Sequence, residues 1–147
     1  MSDRAWVLEF VRKHSLAVEA TTRADGAPQA AVIGVAITDE LELVFDTLAT
    51  SRKCANLRRD ARIALVFGWD LDEACTLQLE GVADEPGGDD RRRVQAVYLE
   101  AFPDGYERAR DPAITYFRVR LSWARMSDFR TDPPTVTELA LADGEAA

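Results

Sequence analysis

Six strand-like segments, most of them joined by tight turns, leave this chain few ways to fold. "SLAVEATT" and "APQAAVIGVAIT" are extended stretches separated by "RADG", where Gly26 supplies the positive φ that a hairpin connection often needs. "LELVFDT" alternates Leu41, Leu43 and Phe45 against Glu42 and Asp46. "ARIALVFGW" is almost continuously apolar, the pattern of a strand buried on both faces or of a barrel wall. "ACTLQLEGVADE" and the long "AITYFRVRLSWARMSDF" alternate again. Two amphipathic helices frame them. Asp3 to His14 places Trp6, Val7, Phe10 and Val11 on one face, with Asp3 as the expected N-cap. "PGGDDRRRVQAVYLEAF" starts with Asp89 and Asp90 and then presents Val94, Val97 and Tyr98. The expectation is a mainly β fold with short helices, a six-stranded antiparallel barrel forming a single domain over residues 1–130. Residues 131–147 form a C-terminal extension whose last ten or so residues are expected to be mobile.

Several functions are disfavoured by composition. The formal net charge of -8 argues against general nucleic-acid binding, which needs a broad basic face. No stretch reaches the roughly 18 apolar residues of a membrane span, and the N-terminus lacks the pattern of a signal peptide. Cys54 and Cys75 have no metal-like spacing and are expected to stay reduced in a cytoplasm. The single histidine, His14, disfavours multi-histidine metal sites.

One local feature runs against that acidic balance. In "FDTLATSRKCANLRRD", Ser51 is placed to cap a helix running from about Arg52 to Arg59. Arg58 and Arg59 suit the negative end of the helix dipole, whereas Arg52 and Lys53 sit at its positive end. A bound anion resolves the misplacement, because the serine hydroxyl, the free N–H groups of the first turn and the two cations make a phosphate cradle. A solvated basic turn, paired with Asp46 or Asp60, is the other reading of the same residues.

The stretch "LELVFDTLATSRKCANLRRDARIALVF" resembles the pyridoxamine 5'-phosphate oxidase-like family, the FMN-binding split barrels. The shared pattern is a strand ending in aromatic-x-Thr, a short loop, Ser-Arg-Lys, a short helix and an apolar strand. The likeness covers roughly Leu16 to Glu85 well and the rest loosely. It implies a homodimer of six-stranded split barrels with FMN between the subunits, and an oxidoreductase acting on a small molecule. On that likeness Ser51, Arg52 and Lys53 hold the flavin phosphate, and Thr47 touches the phosphate or ribityl side. Val32, Ile33 and Gly34 line the ring, and Thr76 and Gln78 reach it from the partner subunit. The likeness fails where the namesake enzymes hold substrate phosphate. Ala30, Val35 and Phe102 stand where arginine, lysine and arginine are usual, and the usual Arg-x-His segment is at best Arg125-Met126-Ser127. The expected substrate is therefore not pyridoxamine phosphate. An F420-dependent reductase and a non-catalytic flavin- or haem-binding protein are the alternatives.

Trp69 and Trp123 are expected in the core or at the dimer interface. Arg118 and Arg120 are expected on a solvated or interface face of the last strand.

Overall fold

Helix α1 (Asp3–His14) has the expected bounds but is capped one residue before the expected Asp3. Ser2, in extended conformation, accepts the Ala5 N–H at 3.1 Å, and Asp3 lies in the first turn. A serine oxygen reaches the N3 amide as well as an aspartate would, so Asp3 is left to favour the helix dipole. Val7, Phe10 and Val11 are its buried face, and Ser15 stops it in the left-handed region at φ 54°.

The computed structural model describes residues 1–141. After α1 come β1 (Leu16–Thr22), β2 (Pro28–Gly34), β3 (Ala36–Ile37), β4 (Glu42–Leu48), α2 (Arg52–Arg59), β5 (Arg62–Phe67) and β6 (Cys75–Asp84). The chain continues through α3 (Gly88–Ala101), α4 (Gly105–Arg108), β7 (Ile114–Asp128) and β8 (Thr135–Ala140). All strand pairs are antiparallel, in the order β2-β1-β5-β6-β7-β4-β3, with β8 on the free side of β7.

Eight strands replace the expected six for two reasons. The segment expected as one strand from Ala27 to Thr38 breaks at Val35, so that β2 pairs with β1 and β3 pairs with β4. This kinked segment joins the two ends of the row, and the barrel therefore has six positions. The extension supplies the further strand, with Thr135–Ala140 pairing against the second half of β7. Of the residues expected to be mobile, 138–141 are described, with Glu138 to Ala140 in β8; residues 142–147 lie outside the described residues. The connection "PDGYERARDP" contains the single turn α4.

The barrel interior is filled by alternate residues of the strands, among them Leu43, Phe45, Leu65, Phe67, Leu77, Leu79 and Phe117. Phe45 and Phe117 are register partners on β4 and β7, and their rings stack at 5.6 Å. Each such side chain contributes about 1.5–3 kcal/mol by leaving water. Between Glu80 and Gly81 the β6–β7 register shifts, leaving Ser122 as the extra residue of a bulge. A Cβ at Gly81 would collide with the carbonyl oxygen of Arg120, a backbone atom held in the sheet. Gly81→Ala is expected to destabilise the fold by about 2 kcal/mol, as overpacked sites do. A urea midpoint equal to that of the unaltered chain would contradict this tight approach.

Arg118 departs from expectation. Arg120 is exposed, but Arg118 on the same strand face is only 4% exposed. Its Nε and Nη2 donate to Asp84 at 3.0 and 2.7 Å, and its Nη1 donates to Asp90 of α3 at 3.2 Å and lies 3.5 Å from Glu42. Arg93 of α3 donates to the same Glu42 at 2.8 Å. Helix α3 thus covers Arg118 and leaves Arg120 open. Trp69 is 45% exposed rather than a core plug, with its indole N–H donating to the Leu16 carbonyl at 3.3 Å; Trp123 is half-buried.

Candidate functional site

The split of the barrel creates the cleft. Before Val35, β2 stays with β1; after it, β3 pairs with β4, which runs on to Leu48 before the chain turns into α2. The start of α2 therefore lies against the diverging end of β2. A cleft of about 180 Å³ opens there, walled by Ser51, Arg52 and Lys53 on one side and by Gln29, Ala30 and Ala31 on the other. Its remaining lining is Glu19 and Thr21 of β1 and Asn56 of α2.

The local chemistry matches an anion cradle. Ser51 is the N-cap of α2, accepting the Cys54 N–H at 3.2 Å, and no acidic residue occupies the first turn. Its hydroxyl also meets the Thr47 hydroxyl at 2.9 Å, and Lys53 Nζ donates to Thr47 Oγ1 at 3.1 Å. That bond uses one of the three donors of an ammonium. Arg52 is exposed and, among the described residues, makes no hydrogen bond or ion pair. The carboxylates considered as partners for these cations are engaged elsewhere. Asp46 receives Arg108 Nε at 2.9 Å and the Tyr98 hydroxyl at 3.0 Å, and Asp60 receives Arg62. Arg58, at the other end of α2, forks onto Glu85 at 2.7 and 3.0 Å. Arg59 donates to the Thr22 carbonyl and lies 3.4 Å from Asn56 Oδ1. The basic cluster thus divides, and its first two members are the ones that line the cleft.

Thr47, Ser51, Arg52 and Lys53 come together; the other expected site residues lie apart from them. Ile33 turns its side chain into the core, whereas Val32 is 56% exposed on the outer face. Gly34 has a nearer reason for its identity than a ligand, because an added Cβ would sit 2.9 Å from the Phe102 ring. The N–H of Val35 bonds Ser15, and alternation from there turns the backbone groups of Ala30 and Val32 away from β1, toward the open edge. Thr76 and Gln78 lie on β6, two strands away from β1, and do not line the cleft within one chain. Gln78 is nevertheless in the same cross-strand row as Val32, through Val18 and Val66, and so shares its outer face. Cys54, beside the cradle, is fully buried, and burial pushes its thiol up rather than activating it.

Glu19 is the residue that sequence reasoning missed. It is only 2% exposed, and its Oε2 has no hydrogen-bond partner. Burial pushes its carboxyl up to about 7, with the Lys53 ammonium pulling the other way. A signal was present in β1. Leu16, Val18 and Ala20 form its more apolar side, yet the buried side is Ala17, Glu19 and Thr21. A strand that turns its polar side inward has a use for those groups. Asn56 satisfies its neighbours, donating from Nδ2 to Thr21 at 3.0 Å and to Gln29 at 2.9 Å.

Among the described residues no group of three His, Cys, Asp or Glu side chains is placed to hold a metal, and no helix is long and apolar enough to cross a membrane. His14 is packed on the Phe10 ring and lies 3.3 Å from Glu73.

Comparison with known proteins agrees with this architecture. Residues 5–128 match the family model described as Pyridoxamine 5'-phosphate oxidase. No curated protein matches the chain significantly. Among solved structures, a heme binding protein from Mycobacterium smegmatis is similar over 99% of this chain, with a TM-score of 0.82 and 18% identity. The chain spans 60% of that protein's length. A pyridoxamine 5'-phosphate oxidase-related, FMN binding protein from Nostoc punctiforme PCC 73102 aligns over 98% of this chain and 94% of its own, at TM-score 0.76 and 11% identity. HutZ, a heme storage protein from Vibrio cholerae, aligns over 81% and 89% respectively, at TM-score 0.67 and 18% identity. At such identities the structural likenesses speak for the fold alone.

Proposed function

We propose that this chain, which belongs to the pyridoxamine 5'-phosphate oxidase family, binds FMN and acts as a flavin-dependent oxidoreductase on a small molecule other than pyridoxamine phosphate. The observation that carries the reading is the capped start of α2, where Ser51, Arg52 and Lys53 face a cleft with cationic groups to spare. These residues would hold the phosphate, with Thr47 beside it. Val32 and Gly34 would meet the ring through backbone groups on the open edge of β2, and Ile33, whose backbone faces Ala17 of β1 and whose side chain belongs to the core, would hold that edge in place. Bound FMN would supply the hydride or electron chemistry, and the protein would supply orientation and polarity. The donor set fits a phosphate, and the orphaned oxygen of Glu19 in the same cleft favours a ligand with further polar groups.

The proposal includes a homodimer. The outer face of β2, β1 and β5 exposes Val32 and Leu16 and leaves Val18, Ala20, Ala64 and Val66 half-covered. A second copy packed there would cover this apolar face and carry its own Thr76 and Gln78 toward the β2 edge. Both cysteines are free and buried, which suits the reducing cytoplasm proposed for the chain. The reading that the substrate is not pyridoxamine phosphate is supported by Arg125 on β7, whose Nη1 donates to Glu138 of β8 at 3.1 Å.

Replacing Arg52 or Lys53 with alanine is expected to weaken FMN binding about tenfold in each variant, since each removes one charge-assisted hydrogen bond to the phosphate. Quenching of flavin fluorescence during titration measures this, with F420 and haem titrated alongside as competing ligands. Unchanged affinity in both variants, or preferential binding of either competitor, would count against FMN.

A further inference from the structure

The cradle at the start of α2 gathers positive charge, yet a carboxyl stands in the same cleft. Glu19 projects from β1 between its register partners, Ala31 of β2 and Leu65 of β5, and lines the cleft with Ser51, Arg52 and Lys53. It is buried, and its Oε2 has no partner. The elements packed on β1 give it little to balance a charge. β2 lines the cleft with Gln29, Ala30 and Ala31, and β5 brings Leu65, none of which titrates. Only α2 carries titratable groups here: Arg52, Lys53 and the buried Cys54 thiol. Lys53 already gives one donor to Thr47, and both Nδ2 hydrogens of Asn56 are committed to Thr21 and Gln29.

An anion on the cradle and an ionised Glu19 would repel at close quarters. Two negative groups in one buried site do not both stay charged, and the pair holds a proton instead, as paired carboxylates do. Burial already favours the neutral acid, keeping the Glu19 carboxyl up at about 7 against the pull of Lys53, and an arriving anion pushes the same way as burial. The proton also gives the orphaned oxygen a bond to make. A protonated carboxyl donates to an anion oxygen, whereas a carboxylate only accepts. With no anion bound the proton leaves near neutral pH; with one bound it stays.

We infer that an anion on Ser51, Arg52 and Lys53 binds together with one proton, held between Glu19 Oε2 and an oxygen of that anion, so that affinity falls as pH rises through neutrality. The proton comes from solvent and returns there on release. The inference rests on the phosphate reading of the cleft and adds its regulation: the cations attract the anion, and Glu19 sets the pH range in which it is held.

Sulfate and FMN are the probes, because sulfate and the FMN phosphate are both essentially dianionic from about pH 7 to about pH 8.5. Sulfate is followed by calorimetry and FMN by fluorescence quenching, at constant ionic strength. The unaltered chain is expected to bind both about tenfold more weakly at the upper pH, as uptake of one proton per ligand requires. Glu19→Gln is neutral throughout and keeps an N–H donor, so its affinity should stay within about twofold. Lysine and arginine side chains ordinarily titrate above about 10, and burial pushes the Cys54 thiol upward, so the slope belongs to Glu19. A second measurement needs no variant. Calorimetry of the unaltered chain near pH 8, in two buffers of different ionisation heat, should count about one proton taken up per sulfate. Affinities that ignore pH, a slope that persists in Glu19→Gln, or no proton uptake would overturn the inference and leave the anion site standing. Binding of neither probe at any pH overturns the phosphate reading together with this one. Sulfate binding with the expected slope in a chain that ignores FMN would overturn the flavin reading and leave the proton assigned to Glu19.

Discussion

Arg118→Leu is expected to lower the unfolding free energy by about 3 kcal/mol, the lower end of what breaking a buried ion pair costs. The lower end applies because Asp84 and Asp90 are themselves about half exposed and stay partly hydrated. The guanidinium is nearly inaccessible and ties three elements together: β4 through Glu42, the end of β6 through Asp84, and α3 through Asp90. Without it, three carboxylates face one another around a leucine, and α3 keeps only Arg93 as its polar link to Glu42. Arg118→Lys should lose less, because an ammonium keeps the charge but cannot fork onto Asp84. Urea unfolding of the three proteins measures the series. Equal midpoints would mean that the carboxylates are held apart by other means and that Arg118 only decorates the sheet.

The second large effect is a pH dependence seated at Glu19. Burial holds its carboxyl at about 7 in the folded chain, against 4.5 ordinarily. Between those values the folded protein keeps a proton that the unfolded chain has released, so the stability from this site is full below about 4.5 and lost as pH rises through about 7. The loss is on the order of 3 kcal/mol. Glutamine carries no such proton. Glu19→Gln should therefore match the unaltered chain near pH 5 and exceed it near pH 8, with no ligand added. Unfolding curves at the two pH values decide the matter. Parallel profiles for the two proteins would show that Glu19 is solvated in the fold and titrates normally.

Much of the fold was legible because local rules agreed with one another. The bounds of α1 and α2 follow from caps and apolar spacing, the strands β4, β6 and β7 from alternation, and β5 from its apolar run. Ser51, Arg52 and Lys53 stood out because they break a charge rule that the start of α3 obeys with Asp89 and Asp90. What escaped depended on contacts remote in sequence. Nothing near Gly34 announces that Phe102 fills the place of its side chain, and Arg118 and Arg120 look alike until α3 covers one of them. The break at Val35 arises because one segment must serve two strands, β1 and β4, that diverge. The reversal of β1 was visible as a pattern but misleading as a rule. Its apolar side faces outward, where a second subunit is proposed, and its polar side faces the cleft. Glu19 was hidden by the same reversal that makes it useful.

The central claim is that the cleft at the start of α2 is a site for the phosphate of FMN. Parallel titration with FMN and riboflavin tests it most directly, since the two differ only in that phosphate. Quenching of flavin fluorescence should show tight binding of FMN and roughly 100-fold weaker binding of riboflavin, which cannot form the two charge-assisted hydrogen bonds. Equal affinities, or flavin fluorescence that the protein leaves unchanged, would contradict it.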